Sequence, residues 1–331
     1  MWKSFCSLFK KDCRMMVSGK IFLMSLGFLI LYTLYVNLGY IKFMDAGIYN
    51  VYLYDPAGTQ TTVSPLVQQV SSKEVLDSVL LDDTNGVGID ASAGELQLIF
   101  YEGTENADRH RADYALSLLQ PSGNYSAGVV GTNTPEQKAR KDITCELLFF
   151  EIAAVGFLGI AAVLFKEKGM GVIRVHAVLP LSKNLFILSK LVIFLLSDLV
   201  FAILLTVLNV GLSDTASILP AVLPQTALLS LIMALTGLIC ALLLKDFRQF
   251  TLAYLLIAVF VSTPVFLSAN TAVKLDWIRF HPFYHIYMGL KNAYFGTPAA
   301  SPFYYLGAVG AIAALFTAVQ FVFRREIGKE G

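Results

Sequence analysis

Long apolar runs separated by short polar ones dominate the chain. Six stretches are long enough for a helix to cross a bilayer: Ile21–Ile41, Glu146–Phe165, Ile187–Gly211, Val222–Leu244, Gln249–Ala269 and Phe303–Phe323. About 30 Å of hydrocarbon requires roughly 20 apolar residues at about 1.5 Å each. In lipid, only an internal helical ladder satisfies the backbone of such a run. Lys245-Asp246-Phe247-Arg248 is only long enough for a turn, so the fourth and fifth spans are predicted to form a hairpin. The first run exceeds the roughly 7–15 apolar residues of a signal-peptide core and lacks a convincing cleavage site, so it reads as a retained span. Ahead of it, Trp2, Phe5, Phe9, Cys13 and Met16 fall near one helical face, with Lys3, Lys10, Lys11 and Arg14 elsewhere. That pattern predicts an amphipathic helix over residues 1–20, lying along the inner leaflet.

Between the first two spans the pattern changes. Residues Asp45–Asp142 read as a small α/β insert. Tyr49–Tyr54 is a predicted strand, stopped by the turn signal Asp55-Pro56-Ala57-Gly58. Leu66–Val70 and Lys73–Leu81 are expected as short helices, Gly86–Ile89 and Glu95–Tyr101 as strands, the second with Leu96, Leu98 and Phe100 on one face. A helix is expected over Ala107–Leu119, with Ala112, Ala115, Leu116 and Leu119 inward.

Composition agrees with the spans: 56% of the residues are hydrophobic and 15% charged, against about 25% charged in soluble domains. The net charge of +1 conceals an asymmetry. The insert carries 14 acids and 6 bases, whereas the remainder carries 10 acids and 19 bases. Met1–Lys20, Lys166–Lys190, Lys245–Arg248 and Arg324–Gly331 together hold 15 of the 25 bases. The positive-inside rule then predicts cytoplasmic termini, with the insert and the Asn270–Pro302 segment on the outer side. The fold class is thus a polytopic α-helical membrane protein with six transmembrane helices, N-in and C-in, and an extracytoplasmic α/β insert between helices 1 and 2. Membrane lipids are expected partners and nucleic acid is not.

Candidate chemistry is sparse. There is no phosphate-binding loop, no His-Glu-x-x-His, no Gly-x-Ser-x-Gly and no Cys-x-x-Cys, so no nucleotide hydrolysis, enzyme activity or cofactor is expected of this chain. Cys6, Cys13, Cys145 and Cys240 read as packing or interfacial residues. Asp82, Asp83 and Asp90 lie close in sequence but match no calcium loop. His281 and His285 are four apart, but Pro282 interrupts the face they would share, and the surrounding aromatics suit a membrane interface. Charged residues inside spans are costly and default to functional candidates. Asp198 is the clearest, in the middle of the third span, while Glu151 is expected about one turn into the second, near the outer headgroups. Pro264 is expected to kink the fifth span.

The polar run after the second span carries more. Glu167-Lys168-Gly169-Met170-Gly171, followed by Pro180-Leu181-Ser182-Lys183, resembles the first cytoplasmic loop of ABC-2-type transporter permeases, in the subset with an enlarged extracytoplasmic domain. Trp277–Lys291, containing His281-Pro282 and Leu290-Lys291, is similar to the outer re-entrant segment before that family's last span. Val172 departs from the usual threonine and Arg174 stands where an acid is common. The resemblance implies a coupling helix over residues 166–186, led by Glu167, passing through Gly171 and Arg174, and closed by Pro180. It would seat in a separate ABC ATP-binding subunit, present in two copies, with a second permease chain, identical or similar, completing the pathway. It also implies a multi-pass protein of the plasma membrane, exporting a hydrophobic or amphipathic substrate. Two other readings compete: a membrane-embedded enzyme acting on a lipid-linked substrate, and a membrane-anchored sensor or interaction protein, which six spans disfavour.

Overall fold

A computed structural model of the chain describes residues 2–41, 49–58, 61–62, 67–83, 86–92, 96–101, 105–120, 125–131, 135–173, 175, 182–269, 276–296 and 301–330. Two compact units emerge, one from Met1–Val36 with Lys141–Gly331, the other from Asn37–Arg140. Helix α1 (Trp2–Ser18) turns sharply at Gly19-Lys20 into α2 (Ile21–Leu34), whose end widens into a π turn over Tyr35–Tyr40. Lys20 makes the corner with a left-handed φ of 58°. The buried stripe of α1 is Leu8, Asp12 and Met16, one residue per turn. A carboxylate therefore occupies the middle of its apolar face.

The second unit is an α/β sheet in the order β3-β1-β4-β5-β7. Its strands are β1 (Val51–Tyr54), β3 (Val67–Gln69), β4 (Val87–Asp90), β5 (Leu96–Tyr101) and β7 (Tyr125–Gly131), while β2 (Thr61–Thr62) and β6 (Leu119–Gln120) pair as a separate short ribbon. β1 pairs in parallel with both β3 and β4, β4 is antiparallel to β5, and β5 is parallel to β7. Helix α3 (Lys73–Asp82) starts at Ser72, whose hydroxyl accepts from Val75 N. It buries Leu76 and Leu80 against Tyr52 and Ile99. The opposite face holds Val51, Leu53, Val87, Ile89, Leu96, Leu98 and Phe100 with Ala115 of α4 (Glu105–Ser117). This is the alternation expected along Leu96–Phe100. The short helix expected over Leu66–Val70 is not there: Leu66 lies outside the described residues, and Val67–Gln69 is a strand in register with Val51–Leu53. Sheet pairing overrides the helical spacing of Val67 and Val70.

Among the described residues, six helices are long and apolar enough to cross a membrane. After α2 comes α5 (Pro135–Glu151), which runs through a π turn over Ile152–Gly156 directly into α6 (Phe157–Gly169). The helix that carries the second span therefore begins before Glu146, at Pro135. Helix α7 (Lys183–Val210) meets α8 (Leu212–Leu243) across the single residue Gly211, whose φ of 100° and ψ of 159° suit glycine alone. Helix α8 thus starts before Val222, with Pro220 and Pro224 inside it and Ile218 and Val222 buried in the core. Helix α9 (Phe247–Ala269) continues through Pro264, and α10 (Pro282–Phe295) follows a 3-10 turn over Asp276–Phe280. Helix α11 (Pro302–Glu330) ends the chain. Close approach is built in by Gly159 and Gly237. A Cβ at either would stand 2.7 Å from a side chain, of Phe194 or of Ile160 respectively, the small-residue packing that lets apolar helices approach in lipid.

Candidate functional site

Glu167 lies in the last turns of α6 rather than at the head of a docking helix. Its side chain is fully buried between two ammonium groups, with Lys11 Nζ 2.6 Å from Oε1 and Lys190 Nζ 2.7 Å from Oε2. Lys190 also reaches Asp12 Oδ1 at 3.1 Å, and Ser189 donates its hydroxyl to Asp12 Oδ2. Lys11, Asp12, Glu167 and Lys190 thus form a neutral quartet joining α1 to the end of α6 and the start of α7. The Phe186 ring packs 4.4 Å beneath the Lys190 ammonium. The resemblance implied a helix start at Glu167, where the dipole favours an acid. At the opposite end the dipole opposes it, and the two lysines compensate.

The neighbouring residues divide the work. Lys168 Nζ reaches the carbonyls of Ala241, Leu242 and Leu244 at 2.7, 3.0 and 3.2 Å. It caps the C-terminus of α8, where unpaired carbonyls and the dipole favour a cation. Gly171 takes a left-handed φ of 69° with open space around it, and its N–H donates to Lys168 O at 3.0 Å. That turn ends α6. Val175 N then bonds back to Gly171 O at 3.2 Å. Met170 and Val175 are more than half exposed, while Ile173 is buried. Arg174 and Pro180 lie outside the described residues.

A second polar group lies deeper. The helix containing Glu151 starts at Pro135, so Glu151 lies about four turns from its first residue. It is 3% exposed and accepts from the Tyr32 hydroxyl at 3.1 Å through Oε2. Asp198 of α7 accepts from Ser230 Oγ of α8 at 2.6 Å through Oδ2. Tyr254 of α9, stacked on Phe157 at 5.7 Å, interacts electrostatically with Glu151, as does Asp198. Tyr32, Glu151, Asp198 and Ser230 all lie near the middle of their spans. The two carboxylates singled out in the sequence therefore lie near enough to interact electrostatically. Their hydroxyl partners carry no sequence signal beyond lying within spans.

His281 precedes α10 in extended conformation, with Pro282 at the first helical position. Its ring packs on Phe260 at 4.3 Å, whereas His285 bonds to the Arg279 carbonyl at 2.8 Å. The two histidines therefore do not converge, and among the described residues no group of three metal-ligating side chains forms. Asp83 and Asp90 are also held apart. Asp83 accepts from Asn50 and Tyr52 at 2.7 and 3.0 Å, and Asp90 pairs with Lys73 at 2.8 Å. Sequence reasoning missed two further links. The Tyr294 hydroxyl of α10 lies 2.8 Å from Thr206 Oγ1 of α7, and Gln225 of α8 bonds both Tyr304 and Tyr305 of α11 at 2.8 and 2.9 Å.

Residues 131–322 match a family model described as "ABC-2 family transporter protein". The match covers more than half of the chain, from β7 of the α/β unit through the sixth span. No curated protein matches closely enough to count as a relative.

Proposed function

The chain belongs to the ABC-2 family of transporter membrane proteins, and from that premise we propose that it is the permease half of a bilayer exporter driven by ATP hydrolysed in a separate subunit. The carrying observation is the family match across five of the six spans. Two ATP-binding subunits and a second permease chain complete the assembly, since six spans form half of a two-chain pathway. The clustered bases support cytoplasmic termini in the plasma membrane and an outer position for the α/β unit. The apolar bundle suits a hydrophobic or amphipathic substrate.

Coupling is proposed for the segment from Met170 to Ser182, with Gly171 setting its turn and Arg174 and Pro180 within it. Exposed Met170 and Val175 offer apolar anchors for an ATPase cleft. Glu167 contributes from inside, by fixing the end of α6 to α1 and α7. A push on the segment is then delivered to three helices together rather than to a loose loop. Purification in mild detergent, with Val175→Cys as a cross-linking site, tests this. A Walker-type ATPase subunit is expected to copurify and to cross-link at position 175. Copurification without cross-linking there would remove the docking assignment, and absence of any ATPase would remove the transporter reading.

A further inference from the structure

Five of the six spans send a polar or aromatic side chain to the level of Glu151 and Asp198, yet among the described residues no basic side chain meets either carboxylate, and neither takes part in a salt bridge. Elsewhere in this unit buried carboxylates are neutralised: Asp12 and Glu167 share Lys11 and Lys190. Glu151 Oε1 is buried and, among the described residues, without a hydrogen-bond partner. Removing a carboxylate from water with one oxygen unanswered is costly unless a positive charge or a proton joins it, and ionisable groups at membrane mid-depth are retained for function.

Three features indicate what joins it. The site is lined by aromatic rings. Tyr32 stacks on Phe28 at 5.9 Å and meets the edge of Phe201 at 6.5 Å, and Tyr254 stands over Phe157. Aromatic faces beside carboxylates favour a cation of low charge density. Next, Glu151 leads into the π turn over Ile152–Gly156, an irregularity frequent at functional sites. It brings Gly156 toward Asp198, where a Cβ would stand 3.4 Å from Oδ2, so the helix presents no side chain beside the carboxylate. Finally, Asp198 is only partly buried, which leaves the pair an open side.

We propose that Glu151 and Asp198 form a mid-membrane binding site for the cationic group of an otherwise apolar substrate, a lipophilic ammonium or a similarly diffuse monovalent cation. The word substrate rests on the transporter reading; the binding site itself does not. A divalent metal fits poorly: calcium takes six to eight oxygens, whereas no third His, Cys, Asp or Glu joins the pair among the described residues. A proton alone would neutralise one carboxylate but would leave the aromatic walls and the open side of Asp198 without a role.

The test is equilibrium binding of tetraphenylphosphonium to the full chain in mild detergent without nucleotide, compared with neutral triphenylphosphine oxide. The cation is expected to bind at least about tenfold more tightly than the neutral compound, and Glu151→Gln or Asp198→Asn to weaken it about tenfold each while sparing the neutral one. Glu151→Asp keeps the charge and should hold the loss to about threefold. Tyr254→Leu keeps both charges and, through loss of an aromatic face, should cost a similar factor; it serves if the charge variants do not fold. Asp90→Asn, in the α/β unit, should bind as the parent does. Equal binding of cation and neutral analogue overturns the proposal. So does cation binding unchanged in folded Glu151→Gln and Asp198→Asn, or in Tyr254→Leu should those two not fold. A chain that binds the cation but recruits no ATPase sinks the transporter reading alone. One that recruits the ATPase without cation preference sinks only this proposal.

Discussion

Glu167→Gln isolates the quartet's contribution. Glutamine keeps the shape of the side chain but removes the charge that faces Lys11 and Lys190. Lys190 has a side-chain exposure of 1% and would keep Asp12, at 3.1 Å, as its remaining anion among the described residues. Lys11 is 35% exposed, so water screens its loss, which is held to about 1 kcal/mol or less. Removing one partner of a buried ion pair costs about 3–5 kcal/mol, and Asp12, which stays beside Lys190, keeps the cost at the low end. Because Gln still offers a hydrogen-bond acceptor, the lower end, about 3 kcal/mol, is expected. At about 2–4 °C per kcal/mol, thermal unfolding of the detergent-purified chain should fall by about 6–12 °C. Glu167→Arg, by contrast, would crowd three cations into one pocket and should not fold, whereas at an exposed loop it would have been tolerated. The joint variant Glu167→Met with Lys190→Met removes both charges at similar volume and should be more stable than either single change. Unfolding of Glu167→Gln within about a degree of the parent, or losses that simply add in the joint variant, would refute the buried-pair account.

Lys168→Met removes three bonds to the end of α8 and should cost about 1–2 kcal/mol; hydrogen exchange at Leu243 and Leu244 should quicken, and unchanged exchange would deny the cap. Gly237→Ala places a Cβ 2.7 Å from Ile160 and 3.0 Å from the Phe157 carbonyl, so a loss of about 1–3 kcal/mol is expected, whereas Gly310→Ala, facing open space, should unfold as the parent does. In the α/β unit, burial raises the Asp90 pKa, but hydrogen bonds from Lys73 and Ser92 outweigh it and hold the pKa below the ordinary carboxylate value. The stabilisation is therefore present above the unfolded value of about 3.9 and is lost as pH falls through the folded one. Asp90→Asn should flatten the acid limb of exchange protection in β4, and an unaltered limb would contradict the assignment.

The spans were legible because lipid imposes a length and a polarity that few other environments do. Their ends were not. Glu136–Thr144 is polar enough to read as a linker, yet Lys141 and Thr144 are buried and the helix includes them. β7 carries two glycines and no alternation of large residues; it is a strand through pairing with β5, which no local pattern announces. Asp198 was recognisable from its apolar neighbours alone, but its meeting with Glu151 depends on how α5 and α7 pack. The position of Glu167 was the hardest to read. A charge at the edge of a polar run defaults to solvent, and its burial requires α1 to arrive from more than 150 residues away. One clue was available: Asp12 interrupts the stripe Leu8–Asp12–Met16, and an acid on a buried face needs a cation from elsewhere.

Gly211 makes the third and fourth spans a linkage without slack. One residue spans at most about 3.8 Å between neighbouring Cα atoms, so the facing ends of α7 and α8 can pivot about each other but cannot slide apart. Lengthening this joint by a few flexible residues would leave both helices intact yet turn a lever into a tether. If displacement of α7 reaches α8 through this corner, a chain with such an insertion would keep its ligand contacts and lose only the stroke between them.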